Sequence, residues 1–323
     1  MYLEVSSMAQ TPIPAGAKSR LHLVEVGPRD GFQSLRRPIE TRDKLEAIDH
    51  LLEAGITEIQ ACSFVHPGKV PQMADAEELV SRLPARDSVR YTCLALNEKG
   101  LERARSCGLS HVEVSVSCSD AHGRRNAGVP LAEAQKLAPR MLRLASRYGV
   151  SPHASLQCAF GCVFEGAIPV QRVLDMAKSC LDAGAGHVVL ADTTGLATPA
   201  SVHHSLERLV PEVGAESLGL HFHDTRGLGL VNLFTALDYG IARFDTAVGG
   251  MGGCPFIPDA AGNIPTEDTV FLIQSLGIAT GIDIHKLMDC TNRLEALLGI
   301  RLPAKIRPDT LHSEAAHIEA QPE

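Results

Sequence analysis

"TRDKLEAIDHLLEAGITEIQACSF", residues 41–64, holds the unit from which this chain is built. Its first fourteen residues are amphipathic at helical spacing. Thr41 reads as the N-cap and Gly55 as the glycine that ends the helix before a strand. Residues 58–64, "EIQACSF", then form a short apolar run of strand length. A helix closed by glycine and followed directly by a strand is the αβ joint of a parallel α/β fold.

Outward from this unit the same alternation recurs. Strand-like runs lie at 21–27, 58–64, 89–96, 111–118, 153–160, 187–193, 218–223 and 243–249. Amphipathic stretches separate them, among them "LAEAQKLAPRMLRLASRYG" and "PVQRVLDMAKSCLDAG", which end in "YG" and "AG". Eight strands, each followed by a helix, is the count of a (β/α)8 TIM barrel, an α/β fold that takes about 250 residues as one unit. No GxGxxG follows the first strand to favour an open doubly wound sheet. The expected organisation is a disordered extension over 1–20, one barrel domain over 21–300 with extra C-terminal helical elements, and a C-terminal tail over 301–323.

The chain has 323 residues and a net charge of −8, with 45% hydrophobic residues. A mildly acidic chain offers no broad basic face for nucleic acid, and no apolar run reaches the roughly 20 residues of a membrane span. Nine cysteines, most of them in apolar strand-like stretches, read as buried reduced thiols of a cytoplasmic protein. Cys158 and Cys162, in "CAFGC", lack CxxC spacing.

Chemistry gathers where the strands end, which in a TIM barrel is the active-site mouth. "GLHFHDTRG", 219–227, places His221 and His223 on the same face of an extended chain. Arg29 and Asp30 follow the first strand in "VGPRDGFQ". Cys254 and Asn263 lie in the glycine-rich stretch after the eighth. HxH alone is compatible with a structural pair, "PRDG" with an ordinary turn, and Cys254 with an inert thiol. Asp30, His221, His223 and Asn263 together form a mixed oxygen and nitrogen set suited to a divalent cation such as Mg or Mn.

Six stretches occur in order: "VEVGPRDGFQ", "SFVHPGKVPQMADAEE", "CAFGCVFEG", "LADTTGLATP", "LHFHDTRGLGLVN" and "GGMGGCPFIPDAAGNIPTED". On these, residues 21–300 resemble the 3-hydroxy-3-methylglutaryl-CoA lyase family, TIM-barrel metal-dependent carbon–carbon lyases. The resemblance implies cleavage of the acyl-CoA to acetoacetate and acetyl-CoA. A related lyase acting on a different 3-substituted 3-hydroxyglutaryl-CoA, or a non-catalytic relative that binds acyl-CoA or metal, is the alternative. It further implies Asp30, His221, His223 and Asn263 as metal ligands, Arg29 as the cation that stabilises the enolate, and Cys254 as the proton-transfer group. Arg124, Arg125 and Asn126, in "HGRRNAG", become substrate contacts, with Lys69 a weaker one. A homo-oligomer, dimer or larger, is expected. One departure from the family bears on the catalytic set: Gln60 stands where a glutamate acts beside the arginine. Glutamine keeps the shape and a hydrogen bond to Arg29 but carries no charge. Glu58, on the same face, is expected one layer deeper. Phe32 and "GCVFEG" depart as well, from the family's leucine and "GCPYEG".

Overall fold

The computed structural model describes residues 14, 16–253 and 262–308. Strands β1 (His22–Glu25), β2 (Glu58–Ser63), β3 (Arg90–Ala95) and β4 (His111–Ser117) are followed by β5 (Ser151–Gln157), β6 (Val188–Ala191), β7 (Leu218–His221) and β8 (Arg243–Thr246). All neighbours pair parallel in chain order, and β8 returns to β1 through the register His22↔Arg243 to Glu25↔Thr246. The barrel is closed. It leaves no strand edge open.

Around it lie α1 (Thr41–Glu53), α2 (Ala76–Ser81), α3 (Glu98–Ser106), α4 (Asp120–Asn126) and α5 (Leu131–Arg147). The ring continues with α6 (Val170–Asp182), α7 (Pro199–Val213), α8 (Gly229–Leu237), α9 (Thr266–Ser275) and α10 (Ile284–Leu298). Beyond the eight alternating helices, α4 tops β4 and α10 packs on α1. There Asp283 N–H donates to Ala54 O at 2.8 Å and Lys286 Nζ to Glu53 O at 3.2 Å. Gly55, after α1, has φ +97°, and a Cβ there would stand 2.6 Å from Gly281 O, so only glycine fits.

Two local expectations change. Thr41 does not cap α1: the N-cap is Glu40, which makes no side-chain cap bond, and Thr41 Oγ1 donates to Asp75 Oδ2 at 2.8 Å. A tertiary partner has taken the hydroxyl. Residues 16–20, assigned by sequence to the extension, include an Arg20↔Ala279 bridge at the foot of the barrel. At the other end, residues 301–307 also pack on the barrel. Leu302 is buried, and Ala304 N–H donates to Gly249 O at 3.0 Å.

The strands alternate by chemistry. In β4, Val112, Val114 and Val116 belong to the apolar layer beneath the helices. His111, Glu113, Ser115 and Ser117 interleave with them. The polar set faces the barrel interior, as contacts that skip a strand show. Glu58 on β2 meets Arg243 on β8 at 2.9 Å, and Gln60 on β2 meets Glu113 on β4 at 3.0 Å. The interior is thus a stack of paired polar groups in place of the branched apolar layers usual in such barrels. Glu58 belongs to its lowest layer, also 3.2 Å from Arg90, one step deeper than Gln60.

Candidate metal and active site

The chain leaves β1 through a π-helical turn, Gly27–Gly31, with Pro28 at its start. This wide turn, a form that often marks functional positions, delivers Arg29 and Asp30 together to the mouth. The Arg29 guanidinium is held at two points. Its Nε donates to Gln60 Oε1 and its Nη1 to Asp30 Oδ1. Gln60 is buried, at a position where the β2–β3 ladder skips a residue between Gln60 and Cys62. Such a bulge re-aims a strand side chain.

β7 ends at His221, two residues short of the predicted strand, and His223 continues in an isolated bridge with Asn263. The extended path still sets the two imidazoles side by side, Nε2 to Nε2 at 3.1 Å. His221 Nδ1 lies 3.1 Å from Asp245 Oδ2 on β8, which fixes the ring and turns Nε2 toward its neighbour. Asn263 Nδ2 donates to Asp30 Oδ2 at 2.8 Å and to Met251 O at 3.0 Å. Its Oδ1 is buried without a hydrogen-bond partner among the described residues.

These donors fit a divalent cation. Asp30, His221 and His223 each offer one ligand atom, and the three lie within 4.8 Å of one another. Ligand atoms about 2.1 Å from one ion and at right angles would stand about 3 Å apart, close to the separation of the two Nε2 atoms. The unpartnered Asn263 Oδ1 supplies a fourth donor from a residue already bonded to Asp30. Buried polar atoms without partners are uncommon, and a bound cation would give this one a partner.

The electrostatics agree. Burial pushes Asp30 up, but Arg29, His221 and His223 hold its carboxyl net below the usual range. Burial opposes protonation of His221, yet Asp245 keeps it above its ordinary value. Burial and the His221 charge push His223 down to about 3. His223 therefore offers a neutral nitrogen.

Below this cluster, Gln60 Nε2 donates to Glu113 Oε2 at 3.0 Å, and His153 Nε2 lies 3.3 Å from the same oxygen. Burial pushes Glu113 up, but His153, Arg29 and His221 hold it net below the usual range. His153 in turn stacks on His187, with centroids 4.5 Å apart. Sequence reading missed Glu113, His153 and Asp245. The signal was the period-two appearance of polar residues in strands that should be apolar on both faces.

Arg124, Arg125 and Asn126 form the last turn of α4, beside the mouth. Arg124 pairs with Asp120 at 2.7 Å, and Arg125 lies over the Phe164 ring at 4.4 Å. Asn126 Nδ2 donates to Gln157 Oε1 at the end of β5 at 3.4 Å. Lys69 is exposed on the turn after β2. Cys254 lies outside the described residues. The points between which it falls are described: Gly252, with φ +119°, and Gly262. A Cβ on Gly252 would stand 2.4 Å from Asn263 Nδ2, and one on Gly262 only 2.6 Å from the Gly252 backbone. The eight described cysteines are all free thiols, and among the described residues no helix is long and apolar enough to cross a membrane.

Comparison with known proteins identifies the family. A model of the HMGL-like family matches residues 20–294. The chain is 38% identical over 280 residues to a 3-hydroxy-3-isohexenylglutaryl-CoA/hydroxymethylglutaryl-CoA lyase of Pseudomonas aeruginosa, covering 87% of this chain and 93% of the relative. It is also 38% identical over 294 residues to an (R)-citramalyl-CoA lyase of Chloroflexus aurantiacus, covering 88% and 93%. The structure of an HMG-CoA lyase from Acinetobacter baumannii in complex with coenzyme A and 3-methylmalate superposes with a TM-score of 0.85 at 35% identity, covering 89% of this chain and 94% of that one. The chain belongs to the HMGL-like family of lyases.

Proposed function

We propose that this protein is a divalent-metal-dependent acyl-CoA carbon–carbon lyase that cleaves 3-hydroxy-3-methylglutaryl-CoA to acetoacetate and acetyl-CoA. The observation that carries the reading is the meeting of a two-point-held Arg29 with Asp30, His221, His223 and the unpartnered Asn263 Oδ1 at one barrel mouth. Asp30, His221, His223 and Asn263 would hold Mg or Mn. The bound ion would polarise the substrate's tertiary hydroxyl and a neighbouring carbonyl.

In the cleavage the C3 hydroxyl passes its proton to the Asp30 carboxylate, the C2–C3 bond breaks and the C3 ketone of acetoacetate forms. The bonding pair passes to C2 as the thioester enolate. Arg29 carries five N–H donors, so a guanidinium held by two neighbours keeps donors for the enolate oxygen. Gln60 holds that plane in place. Cys254 supplies the proton that C2 takes up. Arg124, Arg125 and Asn126 line the approach on the side where the CoA moiety would lie, and the coenzyme A bound to the Acinetobacter relative supports an acyl-CoA ligand. A second reading, a different substituent at C3, is favoured by the isohexenylglutaryl and citramalyl substrates in the relatives' names and by Gln60 itself.

The test is product formation from 3-hydroxyglutaryl-CoA thioesters of varied C3 substituent, and from citramalyl-CoA, with Mg or Mn. Cleavage should require the ion. Cys254→Ala should keep KM and ion affinity while losing most of kcat, because only a transition-state interaction is removed. No cleavage of any thioester would end the lyase reading, and an unchanged kcat in that variant would end the role of Cys254.

A further inference from the structure

The Gln60 amide is buried between a guanidinium and a carboxylate, and its two ends are not equivalent. Oε1 accepts from Arg29 Nε, and Nε2 donates to Glu113 Oε2 at 3.0 Å. The reverse orientation would set an NH2 group against the Arg29 N–H and an oxygen against the Glu113 carboxylate. Both contacts would then repel. An amide facing one charged neighbour alone has a weaker reason to choose.

We infer that Glu113, braced by His153, is a positioning residue for Arg29 that acts by dictating which end of the Gln60 amide meets the guanidinium. The geometry is that of a relay across the barrel interior, from β5 through β4 and β2 to the turn after β1. His153 Nε2 lies 3.3 Å from the same Glu113 oxygen that accepts from Gln60. His153 is stacked on His187, so its ring is fixed from the far side as well. With Glu113 in place, Arg29 has two fixed partners, Gln60 and Asp30. Without it, Asp30 becomes the single oriented partner, and the guanidinium is free to swing toward the donor cluster and away from a substrate oxygen. The inference rests on the reading of Arg29 as the group that meets the enolate.

The experiment compares wild type, Glu113→Gln, Gln60→Glu and the double variant Gln60→Glu/Glu113→Gln, reading kcat, KM, Mn affinity and Tm. Glu113→Gln leaves an amide that can turn either end toward Gln60 and no longer dictates its orientation, so it should lower kcat about 10–100-fold, as the loss of an orienting partner does, with KM and Mn affinity unchanged. Gln60→Glu alone faces a new carboxylate against Glu113 and should lose both rate and Tm, since two buried carboxylates in contact cannot both ionise. The double variant mirrors the native arrangement: the carboxylate introduced at position 60 accepts from Arg29 directly, and the amide NH2 at position 113 donates to it and to the Nε2 of a His153 in the Nδ1–H tautomer. It should recover most of the rate and Tm. Wild-type kcat in Glu113→Gln, or a double variant no better than Gln60→Glu, overturns the inference. Should Glu113→Gln fail to fold, recovery in the double variant still decides. An inactive wild type overturns the lyase reading instead. The Tm cycle then reads the pairing by itself, because groups in contact are non-additive and additive changes would deny it.

Discussion

Asp245 touches neither the proposed substrate nor a proposed ion, yet it decides which nitrogen His221 presents. With Nδ1–H engaged by the carboxylate, Nε2 carries the lone pair and faces His223. Asp245→Asn could present its amide NH2 to Nδ1 and favour the wrong tautomer. It should weaken Mn binding about 10–100-fold, in the range seen for partners of metal-bound histidines, with the fold intact by circular dichroism. Calorimetric titration with Mn checks this, and unchanged affinity would remove Asp245 from the site. At this scale the sequence was uneven. HxH and "PRD" announce themselves because imidazole and ionic pairs are rare where strands end. Glu113, His153 and Asp245 hide inside strands, where a buried charge is legible only if its partner is known. Those partners lie on other strands.

The loops that leave β1 and β8 share a support. Glu25 is fully buried and accepts from Gly27 N at 2.8 Å, Val248 N at 2.9 Å and Thr266 Oγ1 at 2.7 Å. Glu267, in the first turn of α9, accepts from Gly249 N at 3.0 Å and from Thr291 Oγ1. Burial raises Glu25 from 4.5 to about 8 and Glu267 from 4.5 to about 7. A carboxyl whose folded value is raised binds its proton more tightly when folded. Its contribution is therefore full below the unfolded value and is lost as pH rises through the folded one. Stability should fall between roughly pH 4.5 and 8 from these two groups. Glu25→Gln can still accept through its oxygen and donate to the Thr266 hydroxyl, so it should narrow the Tm gap between about pH 5.5 and about pH 8.5. Thermal unfolding at the two values measures it, and an unaltered gap would place the titration elsewhere. Element boundaries show the same division. Period-three and period-two patterns located the helices and strands. The cap of α1 and the end of β7 were set by tertiary partners, Asp75 for Thr41 and Asn263 for His223, which no local pattern contains.

For the whole molecule, the alternation of eight strands with helices led to the closed barrel because each strand-to-helix step in a parallel sheet must turn the same way. What the alternation could not convey was that the barrel is filled with charge. A polar interior places ionic groups where water cannot screen them, so an ion held by the donors at the mouth should add to the stability of the fold. Mn at about 100 times its Kd should stabilise the protein by about 2.7 kcal/mol, a rise of several degrees in Tm. Chelation should reverse it. His221→Ala should lose the shift and Arg124→Ala should keep it, and an equal response in both variants would argue that the ion binds elsewhere.

The contact between Gly252 and Gly262 bears on how such a protein can diversify. The two backbones meet there without room for a Cβ. A side chain at Gly252 would displace the amide that bonds Asp30, and one at Gly262 would force the two backbones apart. Substitution at these two positions is therefore closed to a protein that keeps the Asp30–Asn263 contact, whatever else about it changes.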